Sequence, residues 1–202
     1  MRFIPGTRDR RSVRLKDYDY AQAGAYFVTI CTYDRDCLMG EVVNGEMRLN
    51  EYGEIARDEW LHTASVRRNV VLDAFVAMPN HVHGIIILTG DVGATRRVVR
   101  MDGGVTLGTG EAPAGTGEAA PRPYDGKGKM QSGSIGAIIG QFKSATTKRI
   151  NVRRGTPGIP VWQRNYHERI LREGELDRIR AYIRNNPAQW EMDVENPANH
   201  SS

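Results

Sequence analysis

Only two cysteines, Cys31 and Cys37, occur in the 202 residues. They cannot build a disulfide framework or a four-cysteine zinc site, so the expectation is free thiols in a reducing compartment and a cytoplasmic location. Long hydrophobic runs are equally scarce. The longest, Val82–Leu88, falls far short of the roughly 20 apolar residues that a bilayer span needs. The opening MRFIPGTRDRRSVRLKDYDY is charged and has no apolar stretch, so neither a signal peptide nor a membrane anchor is expected. Gly-x-Ser-x-Gly, His-Glu-x-x-His and Cys-x-x-Cys are all missing, which removes the commonest hydrolase, zinc-protease and thiol-redox patterns. Charge of one sign is only slightly in excess, with 28 Lys+Arg against 24 Asp+Glu, a net +4.

That charge is unevenly spread. Residues 1–16 carry six basic side chains against Asp9 alone, a local +5, and residues 141–185 carry eleven basic against four acidic, a local +7. The rest of the chain is therefore net acidic, and the basic character is gathered where a face for a polyanion could form. With 40% hydrophobic residues the chain can bury one core, so a single domain is the default.

Tyr26–Tyr33 is dense in β-branched and aromatic residues and predicts a strand. Glu41–Val43 and Glu46–Leu49 flank Asn44-Gly45, a pair suited to the positive φ angles of a type I′ hairpin turn. Asn50 can cap a helix through Ser65, where Tyr52, Ile55, Ala56, Trp60, Leu61 and Ala64 recur at helical spacing. Val70–Met78 and Val82–Leu88 predict two strands, adjacent and antiparallel at the centre of a sheet, with Pro79-Asn80 turning between them. From Gly90 to Gly136 lie 12 of the 22 glycines with little apolar periodicity, the mark of a flexible insertion at about 90–133. Apolar periodicity returns at Ser134 as an amphipathic helix, with Gln141, Lys143, Lys148 and Arg149 on its outer face. A last strand, Tyr166–Arg172, and a last helix from Glu175 to Asn185 or Asn186 follow, with Pro187 opposing continuation. The order of elements implies an α+β sandwich on an antiparallel sheet.

Two segments can carry chemistry. In MPNHVHGIIIL, residues 78–88, His81 and His83 are two apart at the mouth of a strand, so both imidazoles leave the same face and can converge on one divalent cation. Two imidazoles leave a metal site incomplete, and an Asp, Glu, Asn or Gln elsewhere would have to finish it. Spacing alone leaves open the alternative of two edge histidines bonded by loops. In RAYIRNNP, Tyr182 and Asn186 stand at i and i+4 on the last helix, stacked on one face. A phenol nucleophile and an amide oxygen could thus approach the same ion, although spacing alone favours a half-buried helix aromatic and an ordinary helix-end residue. A phenol with an ordinary pKa near 10 attacks a phosphodiester well only when the phosphate is polarised.

Taken together, these blocks resemble the REP-associated tyrosine transposases, relatives of the insertion-sequence-200-like transposases within the HUH endonuclease superfamily. The likeness runs through Tyr26–Tyr33, LNEYGEIARDEW, MPNHVHGII, GQFKSATTKRIN, VWQRNYHERILR and AYIRNNP, nearly the whole chain outside the glycine-rich insertion. It implies a ferredoxin-like antiparallel sheet with helices packed on it, in one domain at residues 21–190 between a basic arm at 1–20 and a tail at 191–202. It also implies that His81 and His83 bind Mg²⁺ or Mn²⁺, with Asn186 at the position of the third ligand and Tyr182 as the nucleophile. The activity implied is cleavage and rejoining of single-stranded DNA at palindromic hairpin repeats through a covalent 5′-phosphotyrosine, in a bacterial, nucleoid-associated protein that is a monomer or a homodimer. No membrane partner is expected.

For DNA contact the sequence offers Lys143, Lys148, Arg149, Arg164 and Arg169 beside Trp162, the mixture suited to neutralising phosphates and stacking bases. Arg10, Arg11 and Arg14 on the N-terminal arm could follow the backbone of a hairpin. Two other classes of function remain at this stage: a non-catalytic binder of palindromic repeats, and a metal-dependent phosphodiesterase that uses water.

Overall fold

A computed structural model describes residues 19–90 and 133–200. Arg10, Arg11 and Arg14 and most of the glycine-rich segment lie outside the described residues. Among those described, the chain runs β1 (Gly24–Cys31), β2 (Gly40–Val43), β3 (Glu46–Leu49), α1 (Glu51–Ser65), β4 (Val70–Ala77), β5 (His81–Leu88), α2 (Ile135–Arg154), β6 (His167–Leu171) and α3 (Leu176–Asn185). The main sheet has the order β4-β5-β1-β6, antiparallel throughout, while β2 and β3 form a separate hairpin. The fold class is α+β, the ferredoxin-like arrangement of a four-stranded antiparallel sheet with helices packed on it.

The local signals explain the elements. Asn44 (φ 54°) and Gly45 (φ 77°) turn the β2–β3 hairpin. Asn50 Oδ1 accepts from the Tyr52 and Gly53 amides to start α1, and Ser134 Oγ accepts from Ala137 to start α2. Gly155, at φ 66°, ends α2 because only glycine takes that left-handed angle without cost.

Two expectations are corrected. β1 begins at Gly24 and stops at Cys31, and Tyr33 enters a 3₁₀ turn. Thr32 intervenes: its hydroxyl proton is shared between the Asp36 and Asn80 carbonyls, its amide donates to Asn80, and its backbone bridges to Trp162. β4 and β5 are adjacent and antiparallel, but β4 is an edge strand; the centre of the sheet is β5 and β1.

Alternation along the strands gives the sheet two different faces. Tyr26, Val28, Ile30, Ile86 and Leu88 point to the α1–α2 side, where Trp60, Ile138, Ile139 and Phe142 complete the larger core. Trp60 stacks on Phe75 at 4.9 Å between centroids and meets Phe142 edge-on at 5.7 Å. Gly84 makes room for that indole, since a Cβ there would lie 2.2 Å from Trp60 Cζ2. Phe27, Ile85 and Leu171 point the other way and pack on Ile179 and Ile183 of α3.

An irregularity in β4 between Leu72 and Phe75 breaks its alternation. Leu72 and Phe75 both pack in the α1–α2 core, whereas Ala74 packs in the α3 cluster and Asp73 bonds Arg180 of α3. The extra residue of a bulge thus turns two successive side chains toward α3.

Candidate active site

The polar end of the α3 face begins with β5, whose His81 and His83 lie within the strand and share one face; both are buried, at 0% and 4% exposure. Their rings are 4.5 Å apart between centroids. His81 Nδ1 is 2.9 Å from Asn80 Oδ1. The Asn80 amide nitrogen donates to the carbonyls of Arg35 and Glu195, so Oδ1 is the atom that faces the ring. It accepts from Nδ1–H, which leaves Nε2 as a bare lone pair. That nitrogen is buried and has no hydrogen-bond partner.

His83 Nδ1 lies 2.9 Å from Thr29 Oγ1 on β1, directly across the ladder, and Phe27 stacks on its ring at 5.3 Å. Its Nε2 lies 3.3 Å from the Tyr182 hydroxyl on α3. Burial lowers the pKa of both histidines, His81 from 6.5 to about 4 and His83 well below its ordinary value. Both rings are therefore neutral at pH 7, as metal ligation requires.

A carboxylate joins them from beyond the last helix. After Asn186 the chain turns through 3₁₀ at Pro187–Met192 and brings Asp193 back over the strand. Ligand atoms of His81, His83 and Asp193 all lie within 4.8 Å of one another. Asn186 is 1% exposed, its amide nitrogen donates to Asp193 Oδ2 at 3.2 Å, and its Oδ1 is buried without a partner. Two bare, buried acceptors beside a carboxylate make a donor set that fits a divalent cation. Asp193 and Asn80 were not found from the sequence. Asp193 belongs to no motif, and Asn80 reads as a turn residue.

Tyr182 is 40% exposed, and its hydroxyl adjoins the donor set at His83 Nε2. Burial of its hydroxyl, then the Asp193 and Glu195 carboxylates, push its pKa up, opposed by a hydrogen bond from Asn186. Its ring meets Phe27 edge-on at 6.0 Å.

The basic residues separate on inspection. Trp162 is a core residue, 6% exposed, with its indole N–H donated to Thr146 Oγ1 at 2.7 Å and its ring on Phe142; the expectation of a free stacking platform is corrected. Lys143 is also committed, donating its ammonium to the carbonyls of Gln163, Arg164 and Asn165, and burial lowers its pKa to about 8. Arg149 pairs with Glu59 at 2.8 Å, and Arg169 pairs with Glu175. Lys148 and Arg164 remain, exposed and without a carboxylate partner among the described residues, on a groove of about 830 Å³ between α2 and residues 155–164.

The fold and this donor set place the protein in a structural class: its fold is that of the REP-associated tyrosine transposase. The solved structure of that transposase bound to a REP hairpin superposes with a TM-score of 0.51 at 16% identity, over 88% of this chain and 74% of that one. No family model matches the sequence. An uncharacterized protein of Haemophilus influenzae Rd is 35% identical over 194 residues, 95% of this chain and 96% of that protein, and the chain belongs to the same family as that protein. No helix among the described residues is long and apolar enough to cross a membrane.

Proposed function

We propose that the protein is a metal-dependent tyrosine endonuclease and strand transferase acting on single-stranded DNA at palindromic hairpin repeats. The observation that carries this reading is the Tyr182 hydroxyl 3.3 Å from His83 Nε2, beside the His81–His83–Asp193 cluster. A water-using phosphodiesterase would not need a half-exposed phenol at that point. The solved relative of the same fold holds a REP hairpin, which supports the choice of substrate.

His81 Nε2, His83 Nε2 and a carboxylate oxygen of Asp193 would hold Mg²⁺ or Mn²⁺, with Asn186 Oδ1 as a fourth protein ligand. The ion would supply Lewis-acid polarisation of the scissile phosphate. Asn80 and Thr29 hold the two imidazoles in place through their second nitrogens. The phenol of Tyr182 loses its proton as its oxygen bonds to phosphorus; the P–O3′ bond breaks and the 3′-oxygen leaves as a hydroxyl. The 5′-phosphate stays on Tyr182, and attack by another 3′-hydroxyl reverses the step without an external energy source. In the metal-free protein its surroundings raise the pKa of the phenol further, so the hydroxyl carries its proton until the attack. Lys148 and Arg164 follow the DNA backbone along the α2 groove.

The test mixes the protein with a labelled single-stranded hairpin oligonucleotide and Mg²⁺ or Mn²⁺, beside Tyr182→Phe and EDTA lanes on a denaturing gel. The expected result is a slow-migrating covalent adduct absent from both controls. Cleavage that persists in Tyr182→Phe would move the chemistry to water, and binding without cleavage would leave a DNA-binding module.

A further inference from the structure

The last helix carries the nucleophile, yet it is thinly held. α3 has ten residues, only Ile179 and Ile183 are buried, and no side chain caps its start. Against this stands one ion pair, buried on its carboxylate side and partly open to solvent on its guanidinium side. The Asp73 side chain is 3% exposed and receives three hydrogen bonds from Arg180: Nε at 3.0 and 3.1 Å and Nη2 at 2.5 Å. Arg180 also donates to Asp177 at 2.8 Å. Asp73 reaches the helix because the β4 bulge turns it there.

We propose that Asp73 and Arg180 are positioning residues that set the rotation of α3 about its own axis and so hold Tyr182 over the histidines of the same chain. At about 100° per residue, Arg180 and Tyr182 lie roughly 80° to either side of the Ile179–Ile183 stripe. The stripe alone, Ile179 and Ile183 with half-buried Leu176, is a pivot, since non-directional apolar contact resists separation more than rolling. The forked guanidinium–carboxylate contact is directional, and anchoring one flank of the stripe fixes the height of the other. A roll of the helix would move the Tyr182 hydroxyl away from His83 while leaving both isoleucines buried. Stability alone does not call for this pair, because a partly exposed ion pair contributes little and apolar residues of similar volume often replace even a buried one without loss.

That last point supplies the test. Asp73→Leu combined with Arg180→Met removes both charges together and is expected to keep a thermal midpoint near that of the parent. In the metal-free protein, Tyr182 ring protons should show nuclear Overhauser contacts to the rings of His83 and Phe27, whose centroids lie 5.3 and 6.0 Å away. These contacts should weaken or vanish in the double variant. Adduct formation at saturating hairpin DNA should fall about 100-fold, the usual penalty for a displacement near 1 Å, with DNA affinity unchanged. Arg180→Lys, which keeps the charge and loses the fork, should lie between the two, and it serves as the test if the double variant does not fold. A folded variant that keeps both the ring contacts and the parental rate overturns the proposal. The activity arm rests on Tyr182 being the nucleophile and the ring contacts do not; a parent protein that forms no adduct would sink that assignment while the contacts still decide the clamp.

Discussion

The same strands present one face to α1 and α2 and the other to α3, yet the two faces are secured by different means. Under α1 and α2, aromatic and branched side chains interlock, with Trp60 seated against Gly84 and between Phe75 and Phe142. Under α3 the apolar contact covers only one end, from Phe27 and Ile85 to Ile179 and Ile183. The other end is polar and is held by directed bonds of Asn80, Thr29 and Asn186, while Asp73 anchors α3 beside the apolar patch. Close packing gives the first face its stability. The second face spends part of that stability on keeping bare nitrogens and a carboxylate together, an arrangement that pays only when something binds there.

If this division is real, damage to one face should not mimic damage to the other. Trp60→Ala should cost about 3–5 kcal/mol in denaturant unfolding, while adduct formation per folded molecule stays near parental; a matching loss of activity in the folded fraction would break the distinction. Acid should act through the α3 face. His81 titrates near 4 when folded and near 6.5 when unfolded, so the unfolded chain binds the extra proton in that window. Stability of the metal-free protein should therefore fall as pH drops from about 6.5 to 4, by on the order of 3 kcal/mol for this residue. Unfolding curves that do not shift across the window would contradict the neutral, buried imidazole. Asn80→Ala should weaken Mn²⁺ binding about 10–100-fold by titration calorimetry, with a smaller effect on the denaturant midpoint than Trp60→Ala; the reverse ranking would make Asn80 a fold residue.

The contrast also explains what the sequence made legible. Period-two and helical patterns report which side of an element is apolar, so the hairpin turn, α1, β5 and the shared face of His81 and His83 could all be read directly. The one turn of helix between Tyr182 and Asn186 made their shared face legible, while their roles were implied only by the resemblance to the tyrosine transposases. Asp193 was not, since it reaches the histidines through a turn whose path no local pattern encodes. Trp162 misled for a related reason: a tryptophan among arginines looks like a stacking platform until Thr146, sixteen residues away, claims its N–H. The β4 bulge was invisible as well, because slipping by one residue inside an apolar run leaves the composition unchanged.

The Asn80 amide has one more consequence, for the proton balance of metal uptake. With Nδ1–H of His81 already engaged and both rings neutral, neither imidazole has a proton to surrender when a cation arrives. The heat of binding at pH 7 should then be the same in buffers of very different ionisation enthalpy, and a centre of this kind can fill and empty without disturbing the acidity of its surroundings.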